Sequence, residues 1–101
     1  MIKHVVMWNL KDEAEGNSKD QNKQIFKQML LNLVGVVPEI GLFEVGAKGE
    51  LSPADTNDLV LISEFKTWED LKSYVVHPEH QKVVAFAKLV VSSRSAVDYE
   101  F

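Results

Sequence analysis

The sequence predicts an α+β fold: a ferredoxin-like β-α-β-β-α-β sandwich that pairs with a second copy of itself into a dimeric α/β barrel. Three observations carry the prediction. Segments rich in β-branched and aromatic residues alternate with stretches of helical periodicity in the order strand, helix, strand, strand, helix, strand. The chain of 101 residues is one domain, 1–101, because two halves would each be too small to bury an adequate core. The strands are apolar in both registers, so helices on one face of the sheet would leave a greasy patch on the other. A second copy stacked face to face about a two-fold axis removes that patch from water.

Residues 2–10 form the first strand. Alternation puts Ile2, His4, Val6, Trp8 and Leu10 on one face and Lys3, Val5, Met7 and Asn9 on the other. Val5 and Met7 do not suit a wet face, which implies cover on both sides. Val6 is taken as an inward position where an aspartate would break the dimer, because an unpaired carboxylate there is costly to desolvate. Residues 11–17 are polar and read as a loop, and Ser18 with Gln21 forms a capping box that opens a helix. Ile25, Phe26, Met29, Leu30, Leu33 and Val34 recur at three- and four-residue spacing as its buried stripe. Gly35 then terminates the helix, and Pro38 prevents its continuation.

Residues 40–47 read as a second strand weakened by Gly41 and Gly46, followed by a long loop over 48–57. Residues 59–66 open on a continuous apolar run and form a third strand in the sheet centre. Thr67-Trp68-Glu69-Asp70 resembles a capping box and starts a short helix through Tyr74 and Val75. His77-Pro78 interrupts it, since Pro78 has no amide proton and disfavours helical geometry at the residue before it. Pro78 instead begins a further helix, whose apolar band includes Val83, Val84, Phe86, Ala87, Val90 and Val91 and which ends near residues 92–95. Residues 94–101 alternate as a final strand.

Composition narrows the function classes. A formal charge of −4 with basic residues scattered among acidic ones leaves no stripe to neutralise a phosphate backbone, so no nucleic acid partner is expected. The apolar runs are too short to span a bilayer, and the N-terminal residues lack the charged-then-apolar pattern of a signal sequence, so no membrane partner is expected. The absence of cysteine removes thiolate sites and fits a reducing, cytoplasmic setting. No Gly-rich phosphate loop, nucleophile elbow or dinucleotide fingerprint occurs, which points to cofactor-free chemistry or plain binding. Only His77 and His80, with Glu79 between them, have local ligand spacing, and no second pair completes a zinc set, so no metal is expected; a hard cation held by carbonyls would leave no pattern to read.

Four segments carry a resemblance: Met1-Ile2-Lys3-His4-Val5-Val6, the run from Asp58 to Phe65, the run from Tyr74 to Val84 and the tail from Val97 to Phe101. Together they resemble the stress-responsive A/B barrel (Dabb) family over essentially the whole chain, and Tyr-x-x-His-Pro-x-His at 74–80 is the most specific part. The resemblance implies a dimeric α+β barrel. It includes stress-induced and antifungal plant proteins and a polyketide cyclase that closes a linear poly-β-keto thioester by intramolecular aldol condensation. Likeness to that cyclase implies functional positions at Tyr74, His80 and His4.

Each position has two readings. His80 is a general base for an activated methylene, with Tyr74 donating to the developing enolate oxygen; or His77 and His80 support the turn between two helices, with His77 as a cap and the Tyr74 ring packed on the sheet. His4, Val6 and Trp8 line a ligand-binding chamber in the barrel lumen; or His4 is a satisfied interior group and Trp8 simple filling. The expected function is a homodimer that binds a small aromatic or polyketide-like molecule, with no reaction assigned. The alternatives are a cofactor-independent cyclase or proton-transfer enzyme using Tyr74 and His80, and a structural stress protein with a filled barrel. A cavity of a few hundred Å3 touching both His4 and His80 separates the first two from the third.

Overall fold

The computed structural model describes all residues from Met1 to Phe101. In chain order the elements are β1 (Ile2–Leu10), β2 (Glu13–Ala14), β3 (Asn17–Ser18), α1 (Lys19–Leu31), β4 (Phe43–Ala47), β5 (Leu59–Phe65), α2 (Trp68–Val76), α3 (Pro78–Val90) and β6 (Val91–Glu100). The four long strands make one antiparallel sheet in the order β4-β5-β1-β6. That order, with helices after the first and third long strands, is the ferredoxin-like topology. β5 is central as expected, and β1 shares the centre with it.

Burial alternates strictly along β1 and β5, so the two strands agree on which face is inside. Ile2, Val6, Trp8 and Leu10 of β1 and Leu59, Leu61 and Phe65 of β5 join Phe26 and Leu30 of α1 and Val83 of α3 in one core. Burying side chains of this size contributes about 1.5–3 kcal/mol each. The opposite face carries Val5, Met7, Val60, Ile62, Val97 and Tyr99, none of them buried. Lys3 crosses this face, pairing with Glu64 at 3.4 Å and standing 4.6 Å from the centre of the Phe101 ring.

Several boundaries differ from the expectation. Residues 11–17 are not a plain loop: β2 and β3 form a two-residue hairpin turning at Glu15 and Gly16, both at positive φ (54° and 74°), as a tight hairpin turn of the twisted kind requires. The buried Asn22 ties this hairpin to α1 by donating to the Ala14 carbonyl at 3.0 Å. The capping box of Ser18 and Gln21 is present with both of its hydrogen bonds. α1 ends at Leu31, before Val34, because successive short-range turns take over: Leu33 and Val34 donate to the Leu30 and Leu31 carbonyls, and Gly35 supplies a positive φ of 86°. These turns still bury Leu33 and Val37.

β4 starts at Phe43 rather than Ile40; its approach is irregular but tied to the sheet, with Gly41 donating to Glu64 and Glu64 donating to Leu42, both at 2.9 Å. A Cβ at position 41 would lie 2.9 Å from the Glu64 carbonyl oxygen, so the close approach needs glycine. The largest shift is at the last helix. α3 passes into β6 with no linking loop, so Val91, Ser92 and Ser93 are strand residues rather than a helix end. Pairing decides this: Val91 lies opposite Leu10 and Ser93 opposite Asn9 across an irregularity in the ladder, and Ser92 donates to the Asn9 carbonyl at 3.1 Å.

Candidate functional site

The Thr67 side chain caps α2 by accepting from the Asp70 amide, and α2 runs to Val76. At the break, His77 is extended and its Nδ1 accepts from the Glu79 amide at 3.1 Å, while Pro78 occupies the first turn of α3. The Glu79 amide is thereby diverted from the Val75 carbonyl that it would meet in a continuous helix. Two side chains of α3 take its place: Nδ1–H of His80 donates to that carbonyl at 2.9 Å and Gln81 donates at 2.6 Å. The helix break thus orients the His80 ring and fixes where its proton lies. With Nδ1 carrying the hydrogen, Nε2 holds the lone pair of the neutral ring.

Burial lowers the His80 pKa from its usual 6.5; the bond to the Val75 carbonyl opposes the shift, and the positive or protonatable groups of His4, Arg94 and His77 add to it. The ring is therefore neutral at pH 7, a base with a free Nε2. Tyr74, six residues earlier on α2, is buried with its ring centre 4.3 Å from that of His80, 5.1 Å from that of Phe65 and 6.0 Å from that of Phe43. Burial pushes its phenol well above the usual range, with the Arg94 charge pulling slightly the other way, so the hydroxyl stays protonated and available as a donor. No protein group bonds that hydroxyl. Since the one fully buried side-chain polar atom without a partner belongs to Glu39, the Tyr74 oxygen borders open space.

That space is a cavity of about 300 Å3 between the sheet and the helices. His4, Val6 and Trp8 of β1 form its floor, Phe26 and Leu30 of α1 one wall, and Tyr74, His80 and Val83 the other. Eleven of its fifteen lining residues are hydrophobic. His4 is buried, its ring centre 6.1 Å from that of Tyr74, and its Nδ1–H donates to the Asp98 carboxylate in a short hydrogen bond. Asp98 lies directly opposite His4 in the β1–β6 ladder. A carboxylate on Nδ1 fixes the orientation of an imidazole, so the site holds two oriented rings. Chemically it offers a neutral base at His80, a second oriented imidazole, one neutral hydroxyl donor and an apolar chamber.

All five positions singled out in the sequence, His4, Val6, Trp8, Tyr74 and His80, converge on this one cavity. Its location corrects the expectation. The two-faced strands predict a chamber in the lumen between paired sheets, whereas the face bearing His4, Val6 and Trp8 is the one the helices cover, and the cavity lies inside a single subunit. Val6 is for the same reason a core residue and not a position on the open face. The features of the turn-supporting reading are also present: His77 caps α3, and Tyr74 packs on the sheet. Asp98, Lys88 and Arg94 escaped notice in the sequence. Alternation puts Arg94 and Asp98 on one face of the last strand, but which face meets His4 depends on register, which no local pattern specifies. No three His, Asp or Glu side chains converge as metal ligands, and no helix is long and apolar enough to cross a membrane.

Comparison with known proteins adds the chain's relationships. A model of the stress responsive A/B barrel domain matches residues 2–101. The chain is 29% identical over 100 residues to a stress-response A/B barrel domain-containing protein of Arabidopsis thaliana; the match takes in 98% of this chain and 36% of the relative, so the chain spans about a third of that protein's length. Among solved structures it is similar to a dimeric protein of unknown function with a ferredoxin-like fold from Bacteroides fragilis, at 31% identity and a TM-score of 0.82, covering 99% of this chain and 95% of that one. A dimeric ferredoxin-like protein of unknown function from Thermobifida fusca has the same TM-score of 0.82 at 22% identity, covering 99% and 90% of the two chains, a likeness of fold.

Proposed function

Because the chain belongs to the stress-responsive A/B barrel (Dabb) family, and because its sheet has one face open, we propose that it is a homodimer in which each subunit binds a small aromatic or polyketide-like molecule in its own cavity between sheet and helices. The observation that carries the binding reading is the chamber of about 300 Å3, largely apolar, with a partnerless tyrosine hydroxyl and two oriented imidazoles at its wall. Such a chamber, apolar with a few convergent polar groups, has the character of a small-molecule site. Dimerisation is supported by the apolar open face and by relatives described as dimeric. The same reading puts the protein in a reducing compartment, the cytoplasm, which a chain without cysteine accommodates.

A thermal-shift screen of aromatic and polyketide-like compounds tests the binding. A ligand present at a hundred times its Kd stabilises by about 2.7 kcal/mol, a shift of several degrees in a domain of this size. The shift is expected in the wild type and absent in Ala87→Phe, which fills the chamber. Shifts that persist in the filled variant would place the ligand elsewhere.

A second reading, cofactor-independent proton transfer, is favoured by the paired states of His80 and Tyr74. The Nε2 lone pair of His80 takes a proton from a methylene flanked by carbonyls; the C–H electron pair moves onto a carbonyl oxygen, which the Tyr74 hydroxyl holds by a hydrogen bond. Intramolecular attack of that carbon on a second carbonyl closes a ring, and the imidazolium returns the proton to the new alkoxide. Deuterium exchange at the central carbon of a β-diketone, followed by NMR, reads the first step. Exchange that is enhanced by the wild type and lost in His80→Ala and Tyr74→Phe supports it, and exchange unchanged in both variants rules it out.

A further inference from the structure

The lining of the cavity has a charge pattern that the chain as a whole does not. The protein is net −4, yet the only fully charged side chains on the cavity wall are Lys88 and Arg94, both cations. Neither takes part in any of the ion pairs of the chain. The nearest acid on the same face of β6, Asp98, lies four residues from Arg94, about 13 Å along a strand, and its carboxylate is engaged by His4. Arg94 stands opposite Trp8 in the ladder, on an edge strand that is exposed along nearly its whole length, so its guanidinium has access to both solvent and cavity. It lines the same cavity as Tyr74 and His80.

Resting on the binding reading, we infer that the ligand carries a carboxylate, which Arg94 holds at the edge of the cavity while the apolar body lies along Val6, Trp8 and Phe26. A guanidinium presents parallel N–H donors that match the two oxygens of a carboxylate, and an unpaired one beside an apolar chamber has that acceptor missing. Lys88, on the last turns of α3, adds a second positive charge to the same wall and favours anions over neutral or cationic analogues.

The test compares 2-naphthoate with its neutral isostere 2-naphthamide, titrated by thermal shift and by tryptophan fluorescence, since Trp8 lines the site. In the wild type, naphthoate is expected to bind about tenfold tighter or more, as charge-assisted hydrogen bonds do relative to neutral ones. In Arg94→Gln that ratio falls towards one, and in Arg94→Lys it is partly restored. Arg94 is exposed and unpaired, so both variants fold. Equal binding of the two probes to the wild type, or an undiminished ratio in Arg94→Gln, overturns the carboxylate assignment while leaving the cavity as a binding site. Failure of both probes to bind while a screen finds neutral ligands also overturns it, and failure of every compound removes the binding reading beneath it.

Discussion

Tyr74 and His80 owe their chemical states to different causes, and each makes a separate prediction. The Tyr74 hydroxyl has no partner in the fold, so Tyr74→Phe should change stability by less than about 0.5 kcal/mol while abolishing any proton-transfer activity; a loss of about 1–2 kcal/mol in denaturant titration would instead reveal a hydrogen bond the fold depends on. For His80, burial lowers the folded-state pKa below the ordinary 6.5. As the pH drops through 6.5 the unfolded chain takes up this proton before the folded one does. The unfolded state then binds more protons, so the stability contribution is full above about pH 6.5 and is lost as the pH falls through the folded value. Melting curves between about pH 7.5 and 5.0 should show a decline that is shallower in His80→Gln. An identical decline in the variant would assign the effect to another group. The residue types at this site were legible as the Tyr-x-x-His-Pro-x-His run and the lone strand histidine. Asp98 and Arg94 were not, because their contacts are made across strands more than eighty residues apart in sequence.

At the scale of elements, the break between α2 and α3 does the positioning. Pro78 and the His77 cap release the Val75 carbonyl, and that carbonyl holds His80. Loss of an N-cap typically costs about 1 kcal/mol, so His77→Ala should lower Tm by about 4–8 °C and should also loosen the ring of His80, read as broadened imidazole NMR signals. A lower Tm with the His80 signals unchanged would confine His77 to a structural role. This break was readable because Pro acts locally through its own backbone. The capping box at Ser18 and Gln21 was readable for the same reason. The end of α3 was not: the three serines at 92, 93 and 95 resemble helix-end chemistry, yet pairing with β1 pulls them into the sheet. The short hairpin of β2 and β3 was hidden as well, since Glu15 rather than Asn or Asp shares its turn with Gly16.

For the whole molecule, the two faces of the sheet have separate work. The face bearing His4, Val6 and Trp8 meets the helices and borders the cavity, and the face bearing Val5, Ile62 and Val97 is left open, the side on which the proposed second copy would sit. Two-sided apolar strands were legible in the sequence, but alternation alone could not say which register faced the helices and which was left open. The assignment is checked by a pair of aspartates. Ile62→Asp should yield a folded monomer in sedimentation, because a charge on the open face is solvated in the monomer and desolvated in the dimer. Val6→Asp should instead fail to fold, as expected of a carboxylate in the core; a folded Val6→Asp monomer beside a dimeric Ile62→Asp would reverse the two faces. The most direct measurement is native mass spectrometry of the wild type with a ligand from the screen. Two chains of 11.4 kDa carrying up to two ligands are predicted, one in each subunit. A lone chain at high concentration, or a dimer that saturates at a single ligand held between the sheets, would contradict it.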